Sequence, residues 1–512
     1  MKIKMIMISK KDFLTICGMS VGLSPLSSSL CYGTEGIKPT TPNIIYILAD
    51  DMGYGDIRAL NSSSRIPTPA LDRMVADGIT FTDAHSNSAV STPTRYGTLT
   101  GRYAFRSRLK KGVLVGHDST LIEKGRETVA SFLKKNGYRT ACIGKWHLGL
   151  NWQRKDKDHP LFEGDPWNIK DTKNVDYTAR VGGGPADCGF DYSYIIPASL
   201  DIAPYLYIEN GWPTAPVTRY SEGWKSKEAR GMWYRPGDVA DDFAHDNCLQ
   251  HLTEQSVQYI KKTGNSNQPF FLYFPLTAPH TPWLPSPEFR GKSGAGVYGD
   301  FACMVDDVVR QIYQALEESG QAQNTLVIFT SDNGSHWLPS DIKSFGHCAN
   351  GDYSGMKSDL WEGGHRVPYL ATWPAQIKPG TRSDQLLCST DLMATCAEMV
   401  GKKLPKGAGE DSYSFWKALR SEPAGKRIRQ TMIYHSIDGL FGFRQEEWAL
   451  LDCKGSGGWS LSEKGAEKRP SMQLYNLKTD PSEQTNLVEQ HPSRAKAMKQ
   501  LLERQIEKGR TR

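Results

Sequence analysis

The chain has 512 residues, of which 38% are hydrophobic, 10% aromatic and 23% charged, and its formal net charge is +6. This composition is that of a folded globular protein and excludes a disordered chain. No basic run with interleaved aromatic residues predicts nucleic-acid binding, and no apolar stretch beyond the N-terminal region predicts a membrane span.

The N-terminus has the pattern of an export signal. Several lysines within residues 1–11 precede an apolar run that begins at Phe13, and small residues follow up to Gly33. The apolar run is too short to cross a bilayer. A large Leu30 before Cys31 argues against a lipid anchor. We therefore predict a signal peptide over residues 1–33 and a periplasmic or secreted protein, whose remaining cysteines are mostly buried thiols.

Four apolar runs predict buried strands, because they do not alternate with polar residues. The runs are Asn43 to Ala49, Arg139 to Ile143, Phe270 to Leu276 and Thr325 to Thr330. Helical patterns lie between the strands and end at Gly78, Gly137 and Gly320. Strands alternating with helices predict an α/β domain over residues 34–400, with a large, mostly parallel or mixed sheet between helices.

Two regions depart from this alternation. Residues 150–235 are rich in Trp, Gly and Pro and have little periodicity, which predicts a long insertion near the functional site. After residue 400, four short strand-like runs precede a helix that begins at about Ser493. Residues 401–512 are therefore predicted to form a smaller C-terminal subdomain with an antiparallel sheet.

Polar residues follow the predicted strands, at the edge where open α/β sheets bind their ligands. Asp50 and Asp51 end the first strand, and Asp332 and Asn333 end the last. One such pair alone is usually a solvated turn, but three carboxylates at one edge repel each other unless a cation lies among them. Their hard oxygen atoms favour Ca²⁺, with Mg²⁺ as the second choice.

The segment Ser91-Thr92-Pro93-Thr94-Arg95 is the most specific short motif. Its simplest structural interpretation is a helix start, with Pro93 at the first helical position and Ser91 or Thr92 as the cap. A helix N-terminus carries free N–H groups and a partial positive charge, so that an anion is favoured beside Ser91.

The Ser-x-Pro-x-Arg motif resembles the signature of type I sulfatases, and the chain is similar to the bacterial carbohydrate sulfatases near the N-acetylgalactosamine 6-sulfatase and arylsulfatase A branch. Further segments resemble those of the family, in the same order and over most of the chain: Leu48 to Asp56, Gly144 to Gly149, Pro279 to Pro282, Ser331 to Gly334, Lys357 with Trp361 to Pro368, and Leu474 to Leu487. The resemblance implies an alkaline phosphatase-like fold.

The resemblance also implies how the nucleophile is made. Ser91 would be oxidised after translation to formylglycine (3-oxoalanine), whose hydrate is sulfated on one hydroxyl and releases sulfate when the aldehyde is rebuilt. A serine at this position implies maturation by an anaerobic radical S-adenosylmethionine enzyme. Without that enzyme we expect a folded but nearly inactive protein.

Roles for the charged residues follow from the same resemblance. Asp50, Asp51, Asp332 and Asn333 would hold the cation, and Arg95 would orient the hydrated aldehyde. Lys145 and Lys357 would bind the sulfate group. His280 is the candidate acid for the leaving sugar oxygen, and His147 is the candidate base.

The substrate is expected to be a sulfated glycan. The resemblance favours exo-acting removal of a 6-O-sulfate from galactose or N-acetylgalactosamine, with a 4-O-sulfated sugar as the alternative. Asp201, within the insertion, is the candidate for binding sugar hydroxyls.

The sequence disfavours three other functions. A phosphoester hydrolase of the alkaline phosphatase superfamily would need further His and Asp ligands for a second metal, and no clear set is present. A serine acyl hydrolase is disfavoured because Lys262-Thr263-Gly264 precedes Ser331-Asp332-Asn333, the reverse of the β-lactamase order. A glycan-binding protein without catalysis would have no use for an aldehyde at residue 91.

Overall fold

A ten-stranded sheet dominates the part of the chain that the computed structural model describes, which is residues 41–264, 266–422 and 427–512. The predicted signal peptide at residues 1–33 lies outside this part. Across the sheet the strands lie in the order Thr381–Ser383, Ile79–Phe81, Tyr369–Thr372, Thr325–Ser331, Asn43–Asp50, Phe270–Pro279, Arg139–Lys145, Tyr192–Ile196, Ile208–Glu209 and Trp212–Pro213.

The four predicted strands are neighbours at the centre of this sheet, and all three pairings among them are parallel. Phe270–Pro279 and Thr325–Ser331 are buried at every residue, as their unbroken apolar sequences predict. Because the four strands run in the same direction, their carboxyl ends lie at one edge. The predicted α/β architecture is confirmed.

Ten α-helices are described. Pro69–Asp77 and Gly296–Glu318 agree with the predicted patterns, and the first is capped at its C-terminus by Gly78 as expected. The full set is Pro69–Asp77, Ser91–Thr100, Val129–Lys135, Cys248–Thr263, Gly296–Glu318, Pro339–Phe345, Glu362–His365, Leu392–Met399, Trp416–Leu419 and Pro492–Glu507.

A separate four-stranded antiparallel sheet lies near the C-terminus, as predicted. Its strands are Thr431–His435, Phe441–Gln445, Trp448–Leu451 and Gln473–Asn476, and they pair in chain order. Residues of this sheet share a second hydrophobic core with the helix Pro492–Glu507. Residues 41–512 form one compact unit, so the division at residue 400 stays a prediction.

The insertion over residues 150–235 contains more structure than its composition predicted. Tyr192–Ile196 is a fifth parallel strand of the main sheet, paired with Arg139–Lys145. Antiparallel pairs form within the insertion and just after it: Glu163–Asp165 with Asn168–Asp171, Trp224–Lys225 with Trp233–Tyr234, and Val217–Ser221 with Gly237–Ala240, which follows the insertion. A further parallel pair joins Ala84–His85 to Leu387–Cys388.

The eight cysteines in the described residues are free thiols, and seven of them are buried. This agrees with the expectation that the cysteines of the mature chain are mostly buried thiols. Within the same residues, no helix combines the length and the apolar character that crossing a membrane requires.

Candidate active site

Ser91 is the first residue of the helix Ser91–Thr100, which is buried along its whole length. The helix begins earlier than predicted, because Val90, and not Ser91 or Thr92, occupies the cap position. Val90 makes no side-chain capping hydrogen bond. The first N–H groups of the helix are therefore not occupied by a cap, and the positive end of the helix dipole lies beside Ser91, where an anion is favoured.

The four predicted metal ligands meet beside Ser91. Asp50 Oδ1 lies 3.5 Å from Ser91 Oγ. The backbone N–H of Asp51 donates to Asp332 Oδ1 at 3.1 Å, and Asn333 Nδ2 donates to Asp51 Oδ1 at 2.7 Å. All four side chains are buried.

Arg95 and Lys145 balance two of the carboxylates. Arg95 Nη2 donates to Asp332 Oδ2 at 2.7 Å and lies 3.3 Å from Asp50 Oδ1. Lys145 Nζ donates to Asp50 Oδ2 at 2.7 Å, and its carbonyl accepts a hydrogen bond from Arg95 Nη1. Arg95 and Lys145 are fully buried, so these ion pairs are shielded from water.

These contacts set the pKa values of the acids. Burial alone would raise the pKa of Asp50, but Lys145, His280 and Arg95 outweigh burial and lower it to about 2. Burial and the neighbouring Asp50 charge raise the pKa of Asp332. The two carboxylates are therefore inequivalent, and Asp50 holds its negative charge more firmly.

Lys357 and His280 approach Asp51 from two directions. Lys357 Nζ donates to Asp51 Oδ2 at 2.8 Å, and His280 Nε2 lies 3.7 Å from the same oxygen. Burial would lower the pKa of Lys357, but Asp51 and Asp50 outweigh burial and raise it. Lys357 is thus kept charged at a buried position, as an anion-binding lysine must be.

His280 and Asp201 lie side by side. His280 Nδ1 is 3.8 Å from Asp201 Oδ1 and 2.6 Å from the carbonyl oxygen of Thr281. These acceptors on the Nδ1 side fix the ring with Nε2 towards Asp51. Asp201 Oδ1 is buried, and apart from its 3.8 Å approach to His280 it makes no hydrogen bond within the part of the chain that the structure describes.

His147 presents a free lone pair. Its Nε2 lies 2.7 Å from the carbonyl oxygen of Leu114, which can only accept, so Nε2 carries the hydrogen. Nδ1 is buried without a partner in the described part of the chain. Burial, followed by the charges of Lys145 and Arg95, lowers the pKa of His147 well below its usual value. The imidazole is therefore neutral at pH 7, the form that a base requires.

Several backbone positions around these residues have positive φ angles, which are uncommon for residues other than glycine. Asp51 (φ 66°), His147 (φ 55°) and Ser358 (φ 84°), which follows Lys357, adopt the left-handed region that few non-glycine residues occupy. Gly144 has a φ of 135°, and a Cβ there would lie 2.0 Å from the carbonyl oxygen of Pro275. Only glycine lets these two strand ends approach so closely.

The oxygen cluster fits a hard divalent cation. Asp50, Asp51 and His280 each place a ligand atom within 4.8 Å of the others. Asn333 Oδ1 is buried and unpartnered among the described residues, while its Nδ2 faces Asp51. A half-turn of this amide would turn its oxygen towards Asp51. With the carboxylates of Asp50, Asp51 and Asp332 it would supply oxygen ligands of the kind that Ca²⁺ takes.

A second buried group, formed by His85, Glu362 and His365, fits a metal ion less well. The two Nδ1 atoms are 3.0 Å apart, with ring centroids 5.1 Å apart. The rings thus point directly at one another, as in a hydrogen bond, and leave no room for an ion between them.

Two residues near the site were missed by the sequence analysis. Arg235 Nη1 donates to Asp201 Oδ2 at 2.5 Å. His336 has its pKa lowered to about 4 by burial and by the charges of Arg230 and Lys357. His336 follows Asn333 by three residues, which is a signal that could have been used, whereas nothing in the local sequence distinguishes Arg235.

Comparison with known proteins gives consistent matches over most of the chain. A family model described as Sulfatase matches residues 42–402, and one described as N-sulphoglucosamine sulphohydrolase, C-terminal, matches residues 356–512. An N-acetylgalactosamine-6-O-sulfatase of Bacteroides thetaiotaomicron is 30% identical over 508 residues, covering 92% of this chain and 94% of that protein.

Two further matches agree. Human arylsulfatase A is 30% identical over 482 residues, covering 90% of this chain and 85% of that protein. A solved structure of a protein designated 6S-sulf has a TM-score of 0.78 to this chain at 28% identity. It was described in connection with the metabolism of multiple glycosaminoglycans by Bacteroides thetaiotaomicron. The similarity covers 91% of this chain and 99% of that one.

Proposed function

The chain belongs to the sulfatase family and hydrolyses sulfate esters, and from this premise we propose that it removes the 6-O-sulfate of a terminal galactose or N-acetylgalactosamine in a glycan. The main support for this proposal is the group of charges around Ser91. Asp50 Oδ1 lies 3.5 Å from Ser91 Oγ, and the buried cations Lys145 and Arg95 lie beside Asp50. The sugar preference is supported by the N-acetylgalactosamine-6-O-sulfatase relative. The export signal predicted over residues 1–33 supports action on glycans in the periplasm or outside the cell.

Ser91 is proposed as the site of formylglycine, produced by a radical S-adenosylmethionine maturase. The hydrated aldehyde supplies a nucleophile whose sulfate ester can break down without attack by water. The surrounding protein contributes the electrostatic environment of residue 91. The helix N-terminus favours an anion beside residue 91, and Arg95, held by Asp332, places a positive charge 3.3 Å from the Asp50 oxygen that faces Ser91.

Asp50, Asp51, Asp332 and Asn333 are proposed to hold a Ca²⁺ ion. A bound ion would supply positive charge to the sulfate group. Lys145 and Lys357 each lie within hydrogen-bond distance of one of these carboxylates and remain available to a sulfate group. Fixed positive charges in a water-poor site stabilise charge that develops during sulfate transfer.

Proton transfer is assigned to the two histidines. We infer that His147 accepts a proton from the hydrated aldehyde, which is supported by its Nδ1 being unpartnered among the described residues and by its lowered pKa. His280, whose Nδ1 side is held by Thr281 and Asp201, would donate from Nε2 to the departing sugar oxygen. Oδ1 of Asp201 would accept a hydrogen bond from a sugar hydroxyl.

The experiment is anaerobic co-expression of the chain with a radical S-adenosylmethionine sulfatase maturase. We expect mass spectrometry of the Ser91 peptide to show the aldehyde. We also expect the protein to release sulfate from 6-O-sulfated N-acetylgalactosamine faster than from the 4-O-sulfated sugar or an aryl phosphate. Ser91→Ala should fold with an unchanged Tm and release no sulfate.

Three outcomes would contradict parts of this proposal. Preference for the 4-O-sulfated sugar would overturn the regiochemistry alone. Faster turnover of the aryl phosphate would overturn the assignment of the ester. Full activity in Ser91→Ala would remove residue 91 from the mechanism.

A further inference from the structure

A cleft of about 570 Å³ lies in the insertion, formed by the hairpin that pairs Trp224–Lys225 with Trp233–Tyr234. Its volume is within the range of about 300–1,000 Å³ found for small-molecule sites. None of the roles proposed so far uses it. Its lining consists of Glu222, Gly223, Trp224, Lys225, Arg230, Trp233, Tyr234, Arg235 and Pro236.

Two arginines of the lining connect the cleft to the candidate active site. Arg235 Nη1 binds Asp201 Oδ2 at 2.5 Å, and Asp201 in turn lies 3.8 Å from His280. Arg230 Nη2 donates to the carbonyl oxygen of His336 at 2.6 Å. The contacts from Arg235 to Asp201 and from Asp201 to His280 thus link this hairpin to the place proposed for the terminal sugar.

The cleft presents aromatic faces to solvent. Trp224 is 37% exposed and Trp167, which lies nearby, is 46% exposed, whereas most large apolar side chains of the described residues are buried. The guanidinium carbon of Arg235 lies 4.8 Å from the ring centroid of Trp233 and 5.1 Å from that of Trp167, so the arginine fixes both indoles. Trp224 is supported by a different contact, because its ring packs against Tyr234 with the centroids 5.7 Å apart. An exposed indole supported in this way packs well against the C–H face of a sugar ring.

The charges of the cleft favour an acidic ligand. Lys225, Arg230 and Arg235 line it, against one carboxylate, Glu222. The charges of Arg230 and Arg235 are partly neutralised by Asp341 and Asp201, but Lys225 is exposed. Lys225 is therefore the cation best placed to meet a ligand carboxylate.

We propose that this cleft binds the sugar adjacent to the sulfated one, with Trp224 stacked on its ring and Lys225 facing the carboxylate of a uronic acid. The inference rests on the proposed function, because it takes the sulfated sugar to lie at Ser91 and His280. If the cleft binds this second sugar, the hairpin makes the enzyme prefer an acidic oligosaccharide substrate over a free monosaccharide.

The test compares two substrates of the matured enzyme. One is 6-O-sulfated N-acetylgalactosamine, and the other is the same sugar linked to a uronic acid. We expect the wild-type protein to have the lower KM for the disaccharide. Trp224→Ala should raise the disaccharide KM about three- to tenfold, the loss of one aromatic contact, and so reduce the preference.

Two further variants sharpen the comparison. Trp212→Ala removes another exposed tryptophan of the insertion, 52% exposed and outside the cleft lining, and should leave the preference unchanged. Lys225→Ala should raise the KM for the uronic-acid disaccharide but not for one that carries a neutral sugar. Equal preference in wild type and Trp224→Ala would overturn the inference.

A binding measurement separates this inference from the proposed function. Titration calorimetry of the unsulfated disaccharide with the Ser91→Ala protein requires no sulfatase chemistry. The Kd should weaken about three- to tenfold when Trp224→Ala is added. If the wild type cleaves neither sulfated substrate, the proposed function fails. The Kd comparison still decides the subsite, and an unchanged Kd would refute it.

Discussion

At the scale of single residues, the site pairs each buried acid with a buried base. Asp50 faces Lys145, Asp51 faces Lys357, and Asp332 faces Arg95. Removing one member of such a pair leaves its partner uncompensated, which is costly in a water-poor environment. A variant at this site must therefore be assayed for folding as well as for activity.

Lys357→Ala gives the sharpest test at this scale. It removes a charge that we propose contacts the sulfate group, so kcat/KM should fall by about 10²–10³-fold, the usual cost of losing one such group. The measurement is sulfate release from the monosaccharide, with Tm as the folding check. Lys343→Ala, at an exposed lysine of the helix Pro339–Phe345, is the matched control and should retain activity. Wild-type kinetics in Lys357→Ala would contradict the proposed role.

At the scale of elements, unbroken apolar runs located the four central strands. The same rule missed Tyr192–Ile196, because its five residues lie among Trp, Gly and Pro and gain burial only by pairing with Arg139–Lys145. The helix also begins at Ser91, two residues before the start predicted at Pro93. Capping rules look for a polar cap, whereas this helix begins after Val90 and keeps its N–H groups free for the site.

The sequence was informative about the site wherever a residue ends a buried strand. Asp50, Lys145, His280 and Asp332 could all be placed at one edge, since parallel strands bring their carboxyl ends together. Arg235 could not be anticipated, because its approach to Asp201 depends on how the insertion folds back.

The prediction at the scale of elements concerns close packing at Gly97 in the helix Ser91–Thr100. A Cβ at this position would lie 2.3 Å from Asn87 Oδ1, and Asn87 is itself fixed by Pro93 and Ser389. Gly97→Ala should therefore lower the free energy of unfolding by about 1–3 kcal/mol, as overpacking does. Urea denaturation measures the change.

Gly182→Ala serves as the matched control for that experiment. Its new Cβ would be 3.7 Å from the nearest atom, the Cβ of Asn151, which is an ordinary contact. We expect a change within about 0.5 kcal/mol. Equal stability of the two variants would show that Asn87 can move aside.

At the scale of the whole molecule, the site is assembled from distant parts of the chain. Ser91 begins a helix, Lys145 ends one strand of the main sheet, and Asp332 directly follows another. The C-terminal region supports them, because the backbone N–H of Trp459 donates to Ser358 Oγ, next to Lys357. Residues 401–512, predicted as a subdomain, are thus connected directly to the site.

Glu483 lies at this junction and predicts a pH effect. Its Oε2 accepts a hydrogen bond from the backbone N–H of Glu362, while burial and the Glu362 charge raise its pKa well above the usual value. The folded protein therefore holds a proton that the unfolded chain releases above about pH 4.3. Stability must fall as pH rises from there towards the folded pKa.

Glu483→Gln removes this dependence. The Tm difference between the variant and the wild type should be small at pH 4.5 and should favour the variant increasingly towards pH 8. Glu489→Gln, at an exposed position nearby, should show no such trend. A difference that stays constant with pH would mean that Glu483 does not hold the proton.

The left-handed backbone at Asp51, His147 and Ser358 bears on any attempt to engineer this protein. Each such conformation costs on the order of 1–3 kcal/mol, which glycine would recover. Glycine at Asp51 would, however, leave the buried Lys357 without its partner, and glycine at His147 would remove the proposed base. Relief of backbone strain and retention of function are therefore opposed at these positions, so a screen for heat resistance has to select for product formation as well.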